Sequence, residues 1–225
     1  MSKTIFRSRA KRSSSCNRRR RKHLTHPRAS SHECAEARSE EPACEEAGRC
    51  ALRIGWHVPA AVHNDAPALA ILTSLLTGGQ TSRLYRRLVL EDQIAGGVFS
   101  SLGPGSRYPQ LLQIDTSPIA PHSTQELEGA IYEEIARLAN DGPEKDELER
   151  GRNQIAAGAI RRIQSNLGLA FQLAESVSLF DDWTQTFRVS ERLQAVTGDD
   201  VRRMARLYLT EQNRTVATLV KKEVR

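Results

Sequence analysis

ALAILTSLLTGGQTSRLYRRLVLEDQIAGGVFSS, residues 68–101, places two helices, a glycine break and a strand in one run. Leu69, Leu72, Leu75 and Leu76 recur at the three- and four-residue spacing that puts side chains on one helical face. Pro67 suits the first turn, and Asn64 or Asp65 stands where an N-cap belongs. Gly78-Gly79 stops this helix. Thr81 or Ser82 is positioned to cap the next one, in which Leu84 and Leu88 share a face while Arg83, Arg86 and Arg87 are expected to stay in water. Gly96 to Leu102 then reads as a strand.

On the N-terminal side, Leu52 to Val58 alternates as a strand that Pro59 ends. On the C-terminal side, Leu111 to Thr116 is a strand separated from the preceding one by the turn-prone Gly103-Pro104-Gly105-Ser106, so the two should pair antiparallel. Ser123-Thr124-Gln125-Glu126 has the pattern of a capping box, and Leu127, Ile131, Ile135 and Leu138 line one side of the helix it opens. Asn140-Asp141-Gly142 ends that helix and Pro143 begins another, with Leu148, Ile155, Ala159 and Ile163 expected to face the core. Gly168 is expected to kink or break the apolar segment from Leu167 to Phe180. Phe187, Val189, Leu193 and Val196 suggest a further helical stretch, and Thr197-Gly198-Asp199-Asp200 caps a helix carrying Val201, Met204, Ala205 and Tyr208. Thr215 to Val220 closes the chain as a strand. Strands grouped in this way, rather than alternating with single helices, predict an α+β fold: an antiparallel sheet with helices packed on one face, a single domain over residues 51–225.

The formal charge of +6 is unevenly spread. Residues 1–32 hold eleven Lys and Arg and no acid, whereas residues 33–225 hold 22 basic and 27 acidic residues. Residues 1–50 have few large apolar side chains beyond Ile5, Phe6 and Leu24. Such a segment buries too little surface to offset roughly 1–2 kcal/mol of backbone ordering per residue, and it is expected to be a disordered Arg-, Ser- and Cys-containing tail. All four cysteines (Cys16, Cys34, Cys44, Cys50) lie there, without a C-x-x-C pair. Loose thiols explain them better than a zinc site with His32. No apolar run is long enough to span a membrane and no secretory signal is visible, which favours a cytoplasmic location. The acid-free start matches a transit peptide only loosely, because it lacks an amphipathic stripe and contains Pro27.

Chemistry-bearing motifs are scarce. None of the six histidines has Glu three and His four residues further on, as H-x-x-E-H requires. His32-Glu33 opens like H-E-x-x-H, but Glu36 stands where the second histidine belongs. His57 and His63 flank Pro59 without an obvious carboxylate ligand, and a solvent-facing or hydrogen-bonded role accounts for them. The glycines at 78–79 and 103–105 form neither a phosphate loop nor a dinucleotide fingerprint, and Gly103-Pro104-Gly105-Ser106 is not a nucleophile elbow. Asn17 to His23 could meet phosphates, but no aromatic residues are interleaved for base stacking. Nucleic acid is therefore disfavoured as a partner.

From Leu52 to about Lys222 the chain resembles the C-terminal, non-catalytic halves of the pitrilysin/insulinase-like (inverzincin) zinc metallopeptidases of the bacterial type. The likeness rests on LRIGWHVPA, DAPALAILTSLLTGGQTSRLYRRLV, EDQIAGGVFSSLGPGSR and DDVRRMARLYLTEQNRTVATLV. It implies two related α+β halves closing around a peptide, with H-x-x-E-H and zinc in the other half. Some relatives place an Arg and a Tyr over the substrate; aligned on Asp92-Gln93-Ile94 and Val98-Phe99, those positions here are Val89 and Gly96. Neither side chain can donate a hydrogen bond to a scissile carbonyl. The resemblance thus implies no catalytic residue, no metal ligand and no cofactor in this chain, zinc only in a partner domain, and peptide-contacting residues that are unknown. The expected function is the supporting half of a peptide-enclosing chamber, beside a zinc-bearing domain or subunit that cleaves peptides. Two other readings compete with it: an inactive module whose basic tail meets nucleic acid or an anionic surface, and a truncated fragment without a role.

Overall fold

The computed structural model describes residues 51–219. Expectations for the tail, its cysteines and its basic run lie outside the described residues. Four strands form one antiparallel sheet in the order β2-β3-β1-β4: β1 is Ala51–Val58, β2 Ala95–Gly103, β3 Gln110–Pro118 and β4 Arg214–Leu219. The first and last strands of the domain are therefore neighbours, with Ile54 opposite Val216.

Period-two alternation assigns the faces. Leu52, Ile54, Trp56 and Val58 of β1 and Leu112 and Ile114 of β3 are buried, while Arg53 and His57 are exposed. The helices cover the first face and leave the second open, as the sequence predicts. Against the covered face pack α1 (Ala66–Thr77), α3 (Thr124–Asp141) and α7 (Gly198–Tyr208). Their buried residues include Leu69, Leu72 and Leu76, Leu127 and Ile131, and Val201 and Met204. The short α2 (Arg83–Tyr85), α4 (Lys145–Ile163), α5 (Asn166–Phe180) and α6 (Val189–Ala195) complete the helical layer.

Several local expectations need correction. Asp65 is the N-cap of α1, but its side chain caps nothing, because α7 has claimed the carboxylate: Arg203 Nη2 donates to Oδ1 at 3.2 Å and Tyr208 Oη to Oδ2 at 3.1 Å. The helix that opens at Arg83 widens into a π-helical turn over Arg86–Glu91, where the Asp92 N–H donates to the Arg87 carbonyl five residues back. Only half of the box at Ser123 forms: Ser123 Oγ accepts from the Glu126 N–H, while the Glu126 carboxylate bonds His122. Complete boxes instead join Glu144 with Glu147 and Thr197 with Asp200.

Gly168 does not break a helix; it lies in the first turn of α5, its N–H donating to the Ser165 hydroxyl at 3.0 Å. A Cβ there would fall 1.9 Å from the Arg162 carbonyl oxygen, so the tight passage from α4 into α5 requires glycine. Gly151 plays a related part in α4, where a Cβ would come within 3.1 Å of Leu75 in α1. Beyond it α4 leaves the core: Ala159 and Ile163, expected inside, are only partly covered.

Candidate functional site

Three clusters of polar side chains are positioned by this scaffold. The first joins α2 to α3 and α4. Arg83 and Arg87 stand four residues apart, on the flank next to the fully buried Leu84 and Leu88. They were expected in water, yet their side chains retain only 17% and 16% exposure; Arg86, on the outer side, keeps 67%. Arg83 grips Glu147 with both fork nitrogens, Nε to Oε1 at 2.7 Å and Nη2 to Oε2 at 2.8 Å, and Nη2 also reaches the Gly142 carbonyl at 3.2 Å. Glu134 is 9% exposed at its side chain and faces Arg83, Arg87 and Arg137 at 3.5, 3.7 and 3.3 Å. Arg87 additionally bonds Glu133.

The bond to Glu147 raises Arg83 above its ordinary pKa, and the Arg87 guanidinium holds the Glu133 carboxyl below the usual range. A neighbouring cleft of about 340 Å³ also exposes Arg86, Arg150, Asp141 and Glu144. Within it Arg83, Glu134, Arg137 and Glu147 pair with one another, so the cluster acts as a fastener between helices.

The second cluster surrounds Asp65. Besides Arg203 and Tyr208, His63 belongs to it: Nδ1 accepts from the Asp65 N–H at 3.2 Å, which fixes the ring over the turn before α1. Burial and the bond to Asp65 push the Tyr208 hydroxyl above its ordinary pKa. A cleft of about 310 Å³ runs from Val62 and His63 to Arg192, Asp200 and Arg203.

The third is the uncovered face of the sheet. Arg53 and Asp115, cross-strand partners in β1 and β3, form an ion pair there, and Phe99 of β2 projects with 72% exposure. His57 shares this face, and Asn213 Nδ2 donates to its carbonyl at 2.9 Å.

Among the described residues no group of three or more His, Cys, Asp or Glu is arranged to hold a metal. His57 and His63 are separated, one on the strand and one in the turn. Val89 lies in the π turn, packed against the core, and Gly96 lies exposed at the start of β2, beside the irregular pairing between Ala95 and Val98. Among the described residues, those present therefore do not fit a catalytic zinc. The paired Arg83 and Arg87 escaped sequence reading; the usable signal was Glu134 and Glu147 set into the apolar faces of two helices.

The fold and its clusters define an α+β domain in which the Arg83–Glu147 and Asp65–Arg203 clusters tie helices together. A model of the family described as the peptidase M16 inactive domain matches residues 11–155. The chain belongs to this family. The match begins upstream of Leu52, where the sequence likeness was placed, and ends inside α4. No curated protein matches the sequence.

Among solved structures, the chain is similar to a protease from Helicobacter pylori, with TM-score 0.74 and 20% identity over 81% of this chain and 43% of that one. An inactive peptidase domain from Bordetella parapertussis gives TM-score 0.69 and 24% identity over 79% of this chain and 96% of that one. The peptidase M16 inactive domain from Pseudomonas fluorescens gives TM-score 0.69 and 15% identity over 80% and 42%. The chain thus spans less than half the length of the Helicobacter and Pseudomonas proteins and nearly the whole length of the Bordetella domain.

Proposed function

We propose that this chain is the non-catalytic half of a zinc metallopeptidase and works beside an H-x-x-E-H-bearing domain or subunit, which supplies the zinc and cleaves the peptide. The observation that carries the reading is membership in the inactive-domain family by a chain lacking H-x-x-E-H throughout its length. The uncovered sheet face supports it, because Phe99, 72% exposed beside the Arg53–Asp115 pair, offers a surface along which an extended peptide can lie. In that role the chain contributes surface and exclusion of bulk water around an extended peptide, and its own residues transfer no proton to the scissile bond.

The test is reconstitution. The full chain is co-expressed with a zinc-bearing relative from the same source, and cleavage of a quenched peptide is compared with that of either protein alone. Cleavage that rises on pairing supports the assignment. A relative whose rate and mass are indifferent to this chain removes it.

A further inference from the structure

The cleft of about 310 Å³ between the turn before α1 and the helices α6 and α7 holds positive charge that the domain itself does not neutralise. Arg192, exposed on α6, lines it. Its Nη2 donates to Gln185 Oε1 at 2.6 Å and its guanidinium lies 5.0 Å from the centre of the Phe180 ring, so two neutral groups hold the fork in place. One residue back from the lining, Arg152 of α4 donates to the carbonyl of Val196, and its buried Nε has no partner. Among the described residues neither arginine enters an ion pair; the pairs in this region belong to Arg203, which meets Asp65 at 3.2 Å and Asp200 at 3.5 Å.

We infer that this cleft binds a monocarboxylate with a small apolar body, the chemistry shared by the C-terminal residue of a peptide and a free short-chain acid. Three donor groups line it: the Arg192 fork, the Arg203 side chain, which keeps 57% exposure, and the His63 ring, which keeps 51%. His63 Nδ1 accepts the Asp65 N–H at 3.2 Å, which leaves the ring proton on Nε2 as a donor. Bonds from a guanidinium to a carboxylate are charge-assisted and can be made by two nitrogens at once.

The apolar body is specified by Val62, Pro67 and Ala68 from the α1 side and by Ala195 and Val196 from α6. The volume lies at the lower end of the roughly 300–1,000 Å³ typical of small-molecule sites, room for a residue or two. Asp65 and Asp200 line the cleft as well, so a phosphate dianion would meet two carboxylates, whereas a monoanion is matched by the uncompensated Arg192. Occupancy requires no zinc-bearing partner, so it is measured on this chain alone and is independent of chamber assembly.

NMR titration of the isotope-labelled full chain with N-acetyl-leucine, its amide, isovalerate, a tetrapeptide ending in leucine and inorganic phosphate tests the proposal. The expected result is saturable shifts at residues 62–68 and 192–203 for the acids, with the amide at least about tenfold weaker. Arg192→Gln should weaken N-acetyl-leucine at least about tenfold. Ala195→Phe, which fills the cleft from an exposed position, should abolish binding, and neither variant should move the thermal midpoint. Arg188→Gln, an exposed arginine outside the lining, should leave binding unchanged. A tetrapeptide tighter than isovalerate assigns the cleft to peptide C-termini, and the reverse assigns it to free acids; both support the inference. Acid and amide binding alike, phosphate binding more tightly than N-acetyl-leucine, shifts confined to other residues, or an Arg192→Gln effect no larger than that of Arg188→Gln overturns it.

Discussion

Replacing Arg83 by alanine probes the arrangement that departs furthest from a surface-helix reading. The guanidinium makes two bonds to Glu147 and one to the Gly142 carbonyl, and it stands 3.5 Å from Glu134. Removing it leaves Glu147, whose side chain is 12% exposed, with the backbone N–H of Glu144 at 3.3 Å as its remaining hydrogen bond. Glu134 keeps Arg87 and Arg137 and is less affected. Breaking a buried pair from one side costs about 3–5 kcal/mol, and partial exposure places this case near 3 kcal/mol. At about 2–4 °C per kcal/mol for a domain of this size, the thermal midpoint should fall by roughly 6–12 °C. Arg83→Lys keeps the charge but loses the fork, and should recover less than half of the loss. Calorimetry of the full chain with both variants, and with Arg86→Ala as the exposed control, measures this directly. A change at Arg83 no larger than at Arg86 would refute the burial argument.

Glycine positions along the α4–α5 hairpin should respond with opposite signs. Gly158→Ala meets open space and should stabilise by about 0.5–1 kcal/mol, whereas Gly168→Ala collides with the Arg162 carbonyl and should cost more than about 2 kcal/mol; urea midpoints separate the two. Acid stability should track the capping carboxylates. Hydrogen bonds from Thr197 hold Asp200 below the usual carboxylate range, and those from Thr184 and Gln185 do the same for Asp182. Their contribution is present above the unfolded value near 4 and is lost as pH falls through the lowered folded values, so the thermal midpoint should be flat above about pH 5 and drop below it. Asp200→Asn should flatten part of that drop.

Much of the fold was legible because it depends on short-range periodicity. The alternation of Leu52 to Val58, the leucines of α1 and the Thr197 cap each signal their element within a few residues. What escaped depends on partners distant in sequence. Arg83 reads as a solvent-exposed residue until α4, 64 residues on, presents Glu147 to it. Asp65 reads as a cap until α7, 138 residues later, supplies Arg203. Gly168 looks like a helix breaker in isolation, but its role is set by the carbonyl of Arg162 across a turn. The missing zinc motif was legible because its residue types and spacing are fixed, whereas the exposed apolar side of α5 cannot be told from a buried one by periodicity.

The most direct test of the supporting-half assignment is a single cleavage assay of the full chain with zinc and a quenched peptide, alone and then with the zinc-bearing relative. The account predicts no turnover alone and turnover above that of the relative when the two are mixed. Zinc-dependent turnover by the chain alone would contradict it.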